Sequence, residues 1–222
     1  MKKVKFVLIL VWSCFAFGQA EHPITKRKYA PVMGAAGAGW LERSEREQEE
    51  SPDKAIQALG LKPGMTAADV GAGTGYFTVR MAKLVGPEGK VYATDIQQQM
   101  LEMLSKRLQT EKIENVELVR GKVNDPLLPR GKIDLILMVD VYHELSEPQA
   151  MLRKMKEALA PGGRLVLLEF RKEDPDVPIR FEHKMSVAEV QTEIEAEGFK
   201  LDRVLELLPR QHMFFFKKQL IN

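Results

Sequence analysis

Three glycines at alternate positions, Gly71, Gly73 and Gly75, stand between an apolar β run ending at Val70 and a helical segment opening near Tyr76. Such a loop lets the chain turn sharply and brings a ligand against bare main chain. The helix beyond it points free N–H groups at that ligand, which suits a carboxylate or phosphate. The whole segment reads Asp69-Val70-Gly71-Ala72-Gly73-Thr74-Gly75, and Asp95 ends the next β run twenty residues later. A carboxylate there can accept hydrogen bonds from both hydroxyls of a ribose. Strand, loop, helix, strand and terminal acid together are far more specific than the glycines alone. They commit this part of the chain to an α/β crossover.

The remainder repeats the unit. Strands are predicted at 66–70, 90–94, 116–120, 133–139, 164–170, 199–207 and 212–218, with helices near 76–85, 97–109, 147–159 and 187–197. Ser146 with Gln149, and Ser186 with Glu189, have the spacing of capping boxes, and Gly198 offers a stop. The methionines of the 97–109 and 147–159 helices read as core packing. Alternation of this kind builds a parallel sheet covered by helices. Only Leu208 to Gln211 separates the last two strands. A parallel return needs a dozen residues or so, which makes that pair antiparallel. The expected fold is a doubly wound, mostly parallel seven-stranded α/β sheet with an antiparallel last strand and helices on both faces.

At 222 residues and 45% apolar content the chain can bury a sizeable core. Its start is distinct: Lys2, Lys3 and Lys5 precede an apolar run from Phe6 to Phe17 and then Gly18-Gln19-Ala20. This pattern is that of a secretory signal peptide cut after Ala20, and it predicts an exported protein. The run covers twelve positions, short of the roughly 20 that a spanning helix needs. An uncleaved N-terminal anchor and lipid attachment at Cys14 stay open. Cys14 is the single cysteine, so neither a disulfide framework nor a thiolate metal cluster is available. Residues 21–50 follow as a linker or lid, in which Trp40 to Glu50 carries seven charges and reads as a solvated helix. Ser51 and Pro52 then open a short helix over about 52–59, within a main domain at 51–222. The net charge is +2, and −1 without residues 1–20, which gives no basic surplus for a nucleic-acid partner.

A dinucleotide fingerprint would place its third glycine at position 76, which is tyrosine. The spacing found here, with Asp69 just ahead, resembles the glycine loop of class I S-adenosylmethionine-dependent methyltransferases. The resemblance spans about residues 55–217. It takes in Tyr92-Ala93-Thr94-Asp95-Ile96, the strand and loop Asp134-Leu135-Ile136-Leu137-Met138-Val139-Asp140, and Leu159-Ala160-Pro161-Gly162-Gly163-Arg164-Leu165-Val166. It implies S-adenosyl-L-methionine as cofactor. Asp69 and the loop Gly71, Ala72, Gly73, Thr74 and Gly75 would hold its methionyl part, Asp95 its ribose, and Ile96 its adenine. Many relatives carry Gly-Asp-Ala after the third strand; here Lys122 takes the acidic position, and Asp125 is the candidate to replace it.

Ligands of an open α/β sheet sit beyond the carboxyl ends of its strands. Asp140-Val141-Tyr142-His143-Glu144 falls there. Asp140 is placed beside the methionyl group or the acceptor, and His143 can take a proton from an attacking oxygen or nitrogen. Glu169-Phe170-Arg171, His183 and His212 are further candidates to line the pocket, and Arg43 and Arg46 beside Trp40 can close over it. The histidines are too scattered to show a metal-ligand spacing, so no metal is expected. The short stretches left for substrate recognition, 21–60 and 171–185, favour a small-molecule methyl acceptor over nucleic acid. The alternatives are a nicotinamide-dependent oxidoreductase and a non-catalytic S-adenosylmethionine-binding module.

Overall fold

The structure is a computed structural model that describes residues 20–219. Apart from Ala20, the leader read at 1–20 lies outside the described residues. The core begins with α3 (Pro52–Leu59), preceded by the short helices α1 (Ala38–Leu41) and α2 (Arg46–Glu50). Then come β1 (Thr66–Val70), α4 (Tyr76–Val85), β2 (Lys90–Asp95), α5 (Gln98–Glu111), β3 (Val116–Arg120) and β4 (Ile133–Val139). The chain continues through α6 (Pro148–Ala158), β5 (Leu159–Arg171), β6 (Lys184–Met185), α7 (Val187–Ala196), β7 (Phe199–Leu205) and β8 (Gln211–Lys218). The sheet order is β3-β2-β1-β4-β5-β8-β7, with the two-residue β6 paired to β5. All pairings are parallel except those of β8, which runs antiparallel to both β5 and β7. The seven expected strands are present, β8 is the reversed one, and β6 is an addition.

Strand alternation divides the core between two faces. Ala68, Ile136, Met138, Leu165, Leu167, Phe214 and Phe216 pack against Met151, Leu152 and Met155 of α6 and Val190 and Ile194 of α7. The intervening residues Ala67, Leu135, Leu137, Val166, Leu168, Met213 and Phe215 pack against α3 and α4. A strand buried on both sides is apolar at its central positions, which explains the run Leu135 to Val139 in β4 and the three consecutive phenylalanines of β8.

Of the two expected capping boxes one forms, and Ser51 sits at the start of α3 without a side-chain cap bond. Ser186 and Glu189 form the full capping box of α7. In α6 the expected Ser146 cap is displaced: Glu147 takes the cap position and Pro148 the first helical one. The proline ring presets the backbone of that first turn without a side-chain cap, and Ser146 is left facing a cavity. A larger correction concerns Trp40 to Glu50. Two short helices replace the solvated one, and Arg46 and Glu50 are buried as an ion pair of 2.7 Å. The charges were legible, but their inward pairing depends on the packing of this segment over α4.

The N-terminal stretch is anchored by a buried pair. Glu193 of α7 accepts hydrogen bonds from Arg27 Nε and Nη2, both at 2.9 Å, and from the Thr25 hydroxyl. Removing one member of such a pair strands the other charge in the interior. Glu193→Ala is therefore expected to lower the unfolding free energy by about 3–5 kcal/mol in chemical denaturation.

Asp69 gives a pH-dependent counterpart. Burial pushes its carboxyl up to about 6; the Thr78 hydroxyl bond opposes this and the Asp95 charge adds to it. A carboxyl raised on folding holds its proton longer in the native state, so stability falls as pH rises from about 4 to about 6. Asp69→Asn keeps an acceptor for Thr78 and carries no charge. Urea unfolding should find the variant close to wild type near pH 4 and ahead of it by up to about 3 kcal/mol above pH 6.

Candidate active site

The carboxyl ends of β1, β2, β4 and β5 open into a cavity of about 640 Å³, within the range of about 300–1,000 Å³ usual for small-molecule sites. Gly71, Gly73, Thr94, Asp95, Ile96 and Met100 line one half. Gly71 has φ +76°, and a Cβ there would stand 2.5 Å from Val141 Cγ2, so no side chain fits between the glycine loop and the loop after β4. Gly75 has φ +85° and is closed off in the same way by Leu104. Asp95 accepts the Gly73 N–H at 3.0 Å on Oδ2 and the Gln97 N–H at 2.8 Å on Oδ1. Each oxygen keeps a lone pair for a sugar hydroxyl.

The predicted site residues divide by position. Gly71, Gly73, Asp95, Ile96, Asp140 and His143 border the cavity. Asp69, Ala72 and Thr74 line a smaller recess behind the loop. Asp125 Oδ1 accepts the Leu127 N–H at 2.8 Å, while Gly121, Lys122, Val123 and Pro126 of the same stretch reach the cavity wall. His212 is also apart, held between Glu206 at 2.7 Å and Glu173 at 2.9 Å.

Asp140 sits where β4 ends, with φ +53°, a left-handed conformation that costs energy for a residue with a side chain. Its Oδ2 accepts from Gln211 Nε2 at 2.7 Å, and its buried Oδ1 has no hydrogen-bond partner. Burial, with the charges of Glu50 and Glu169 adding to it, holds the carboxyl well above the usual carboxylate range. An unpartnered carboxylate oxygen on the wall of a cavity is a place for a cation. Gln211 lies on β8, 71 residues away, and nothing in the local sequence signals the pairing.

Four side chains meet beyond Asp140. His143, buried, directs Nδ1 at Glu169 Oε2 at 2.6 Å, and Glu169 Oε1 accepts the Tyr142 N–H at 2.9 Å. With Nδ1 donating to the carboxylate, His143 Nε2 is the acceptor for His183 Nδ1–H at 3.1 Å. Glu144 Oε1 lies 4.0 Å from the same His183 nitrogen, and burial pushes the Glu144 carboxyl up to about 7. The 40-residue gap between the two histidines hid this cluster from spacing rules.

Residues 31–46 roof the cavity. Met33 N–H donates to Glu144 Oε1 at 3.2 Å, and Gln97 is bonded both to Ala35 N–H at 3.0 Å and to Met33 C=O at 2.9 Å. Trp40, Leu41 and Arg46 complete the wall, and Glu42 accepts from the Thr74 hydroxyl of the glycine loop.

A methyltransferase-domain family matches residues 61–208, about two-thirds of the chain. A ubiquinone/menaquinone biosynthesis C-methyltransferase from Shewanella sp. is 32% identical over 123 residues, 55% of this chain and 49% of that one. The chain thus spans about half the length of the curated relatives it matches. A solved S-adenosylmethionine-dependent methyltransferase from Aquifex aeolicus superimposes with a TM-score of 0.79 at 31% identity, over 83% of this chain and 98% of that one. A type 11 methyltransferase structure from Sulfolobus solfataricus shares the fold, with a TM-score of 0.65 at 18% identity, 78% of this chain and 95% of that one. The cavity fits the cofactor of that family: the Asp140 oxygen without a partner suits its positive charge, and the Asp95 carboxylate its ribose. Fold, glycine loop, paired acids and the matched segment place this chain among the class I S-adenosylmethionine-dependent methyltransferases.

Proposed function

We propose that the enzyme moves a methyl group to a nucleophilic oxygen, nitrogen or sulfur of a small, largely apolar acceptor. The observation that carries this reading is the far half of the cavity. Leu145, Met151, Phe170, Pro178 and Ile179 form its walls, and His143, Glu144 and His183 are grouped on one side. A cavity with apolar walls and one polar cluster holds a compact ring or chain bearing one polar group, and orients it by that group. S-adenosylmethionine supplies an electrophilic methyl whose carbon–sulfur bond breaks with its electron pair going to sulfur. The chain's own contribution is placement: Asp140 borders both halves, and the polar cluster of His143, Glu144 and His183 meets the acceptor's polar atom. Alignment of nucleophile and methyl within one closed site accounts for much of the acceleration such transfers need.

A second reading is favoured by the 32% identity to the Shewanella enzymes, which act on carbon. A ring carbon beside an ionised hydroxyl is also a nucleophile, and it fits the same pocket. The leader-like start supports cleavage after Ala20 and action outside the cytosol, where the cofactor would have to be supplied.

Incubation of metabolite extracts with methyl-labelled cofactor should yield a labelled small molecule, and its fragmentation distinguishes a methyl on oxygen, nitrogen or sulfur from one on carbon. Asp95→Ala should lower cofactor affinity by about 10–100-fold, the loss of one or two hydrogen bonds to a charged group, and transfer with it. No labelled product from a folded protein that binds the cofactor would leave only the binding module.

Asp140 makes a separate prediction. Its carboxyl is raised by burial among Glu50 and Glu169, with Gln211 and Arg46 opposing. Arrival of a cation favours the ionised form, so cofactor binding should release a proton and tighten as pH rises. Calorimetry in buffers of different ionisation enthalpy should detect that release, and Asp140→Asn should abolish it.

A further inference from the structure

We infer that His143, Glu144 and His183 bind one divalent transition metal, zinc by ligand chemistry, at the acceptor end of the cavity. One ligand atom from each residue lies within 4.8 Å of the others. Two histidines and a carboxylate, with a further position open to a cavity, is the ligand set of a catalytic zinc site. Zinc–nitrogen bonds of about 2.0–2.1 Å at a tetrahedral angle place two ligand nitrogens about 3.3 Å apart. His143 Nε2 and His183 Nδ1 stand 3.1 Å apart, already near that spacing, and the metal takes the place of the Nδ1 proton as His183 changes to its Nε2–H tautomer. The remaining closure belongs to Glu144, whose Oε1 is 4.0 Å from His183 Nδ1.

The surroundings fit the same assignment. A ligating histidine commonly donates its other ring N–H to a carboxylate, which fixes the tautomer and turns the free nitrogen toward the metal. Glu169 does this for His143 at 2.6 Å, and is itself held by the Tyr142 N–H at 2.9 Å. Glu169 is thus a positioning residue. His143 is a ligand in this assignment, in place of the proton acceptor expected from its loop alone. The ring nitrogens, carboxylate and open position favour zinc over the hard cations, which prefer all-oxygen shells.

For the acceptor the consequence is a narrower class, and this clause rests on the proposed methyl transfer. A bound divalent cation lowers the pKa of an oxygen or sulfur it touches. A hydroxyl or thiol acceptor gives its proton to water as it binds, and its lone pair is then available to form the new bond to carbon. Amines gain nothing from the site.

The test uses the full chain, stripped with a chelator and titrated with Co²⁺ and then with competing Zn²⁺. One ion per chain is expected, with the intense visible absorption of a four-coordinate cobalt site. Glu169→Gln should weaken binding by about 10–100-fold, and His183→Ala and Glu144→Ala should weaken it further. His212→Gln, at another carboxylate-held histidine, should leave it unchanged. Absence of one-to-one binding, or equal affinity in wild type and His183→Ala, overturns the site. Cofactor binding to the same stripped preparation verifies that each variant is folded. If the cofactor binds and the metal does not, this inference alone falls; if the metal binds and no acceptor is methylated, the proposed function falls and the metal site stands.

Discussion

Everything in this molecule depends on the reversal of strand order at β1. Its two parallel neighbours are β2, reached through α4, and β4, reached through the later crossovers, so the connections leave toward opposite sides. A crevice must open where they part, beyond the carboxyl ends of the strands. Four successive strand ends deliver an acid to that rim: Asp69 near the end of β1, Asp95 on β2, Asp140 just after β4 and Glu169 on β5. None of the four is close to another in sequence, and each is placed by the same rule. The sheet supplies rigidity, since its faces are filled from both sides by α3 and α4 and by α6 and α7.

Gathering acids in a shielded crevice has an electrostatic cost. The carboxyls of Asp69, Asp95, Asp140 and Glu144 all stand above their ordinary pKa values, with burial as the leading cause in each. Ionised groups at these positions want positive partners, and a cofactor bearing a sulfonium and an ammonium provides them. The strain of Asp140, left-handed at φ +53° with one buried oxygen free, belongs to the same account. Such a conformation persists only where the surroundings hold it, here through Gln211 and the main chain of β5, whose Leu168 C=O accepts the Asp140 N–H at 2.9 Å.

Local rules made the sheet readable. The apolar run of β4 and the capping box of Ser186 and Glu189 could be read in place, and the short connection before β8 implied its reversal. What was not readable depends on contacts between distant segments. Charge density marked Trp40 to Glu50 as solvated, yet Arg46 stacks over the Tyr76 ring at 4.1 Å and pairs inward with Glu50. Asp125 is a candidate adenine contact by its position in a motif, and the bond of its Oδ1 to the Leu127 N–H is a local turn contact that the motif does not signal. The glycine loop fell between these extremes, because steric need at Gly71 and Gly75 is local while the partners Val141 and Leu104 are not.

The roof over the cavity connects these two kinds of order. Met33 and Ala35 donate their main-chain N–H groups to Glu144 and Gln97, residues that immediately follow His143 and lie two past Asp95. The segment therefore rests on both halves of the site, and through Glu42 and Arg46 on α5 and α4 behind it. Arg27, four residues before the roof begins at Pro31, is fixed separately to Glu193 and donates to the His143 C=O at 3.2 Å. A carboxylate has two oxygens and several lone pairs, so Glu144 can keep its bond to Met33 while it turns toward His183. Binding at the polar cluster and seating of the roof then share one side chain, Glu144.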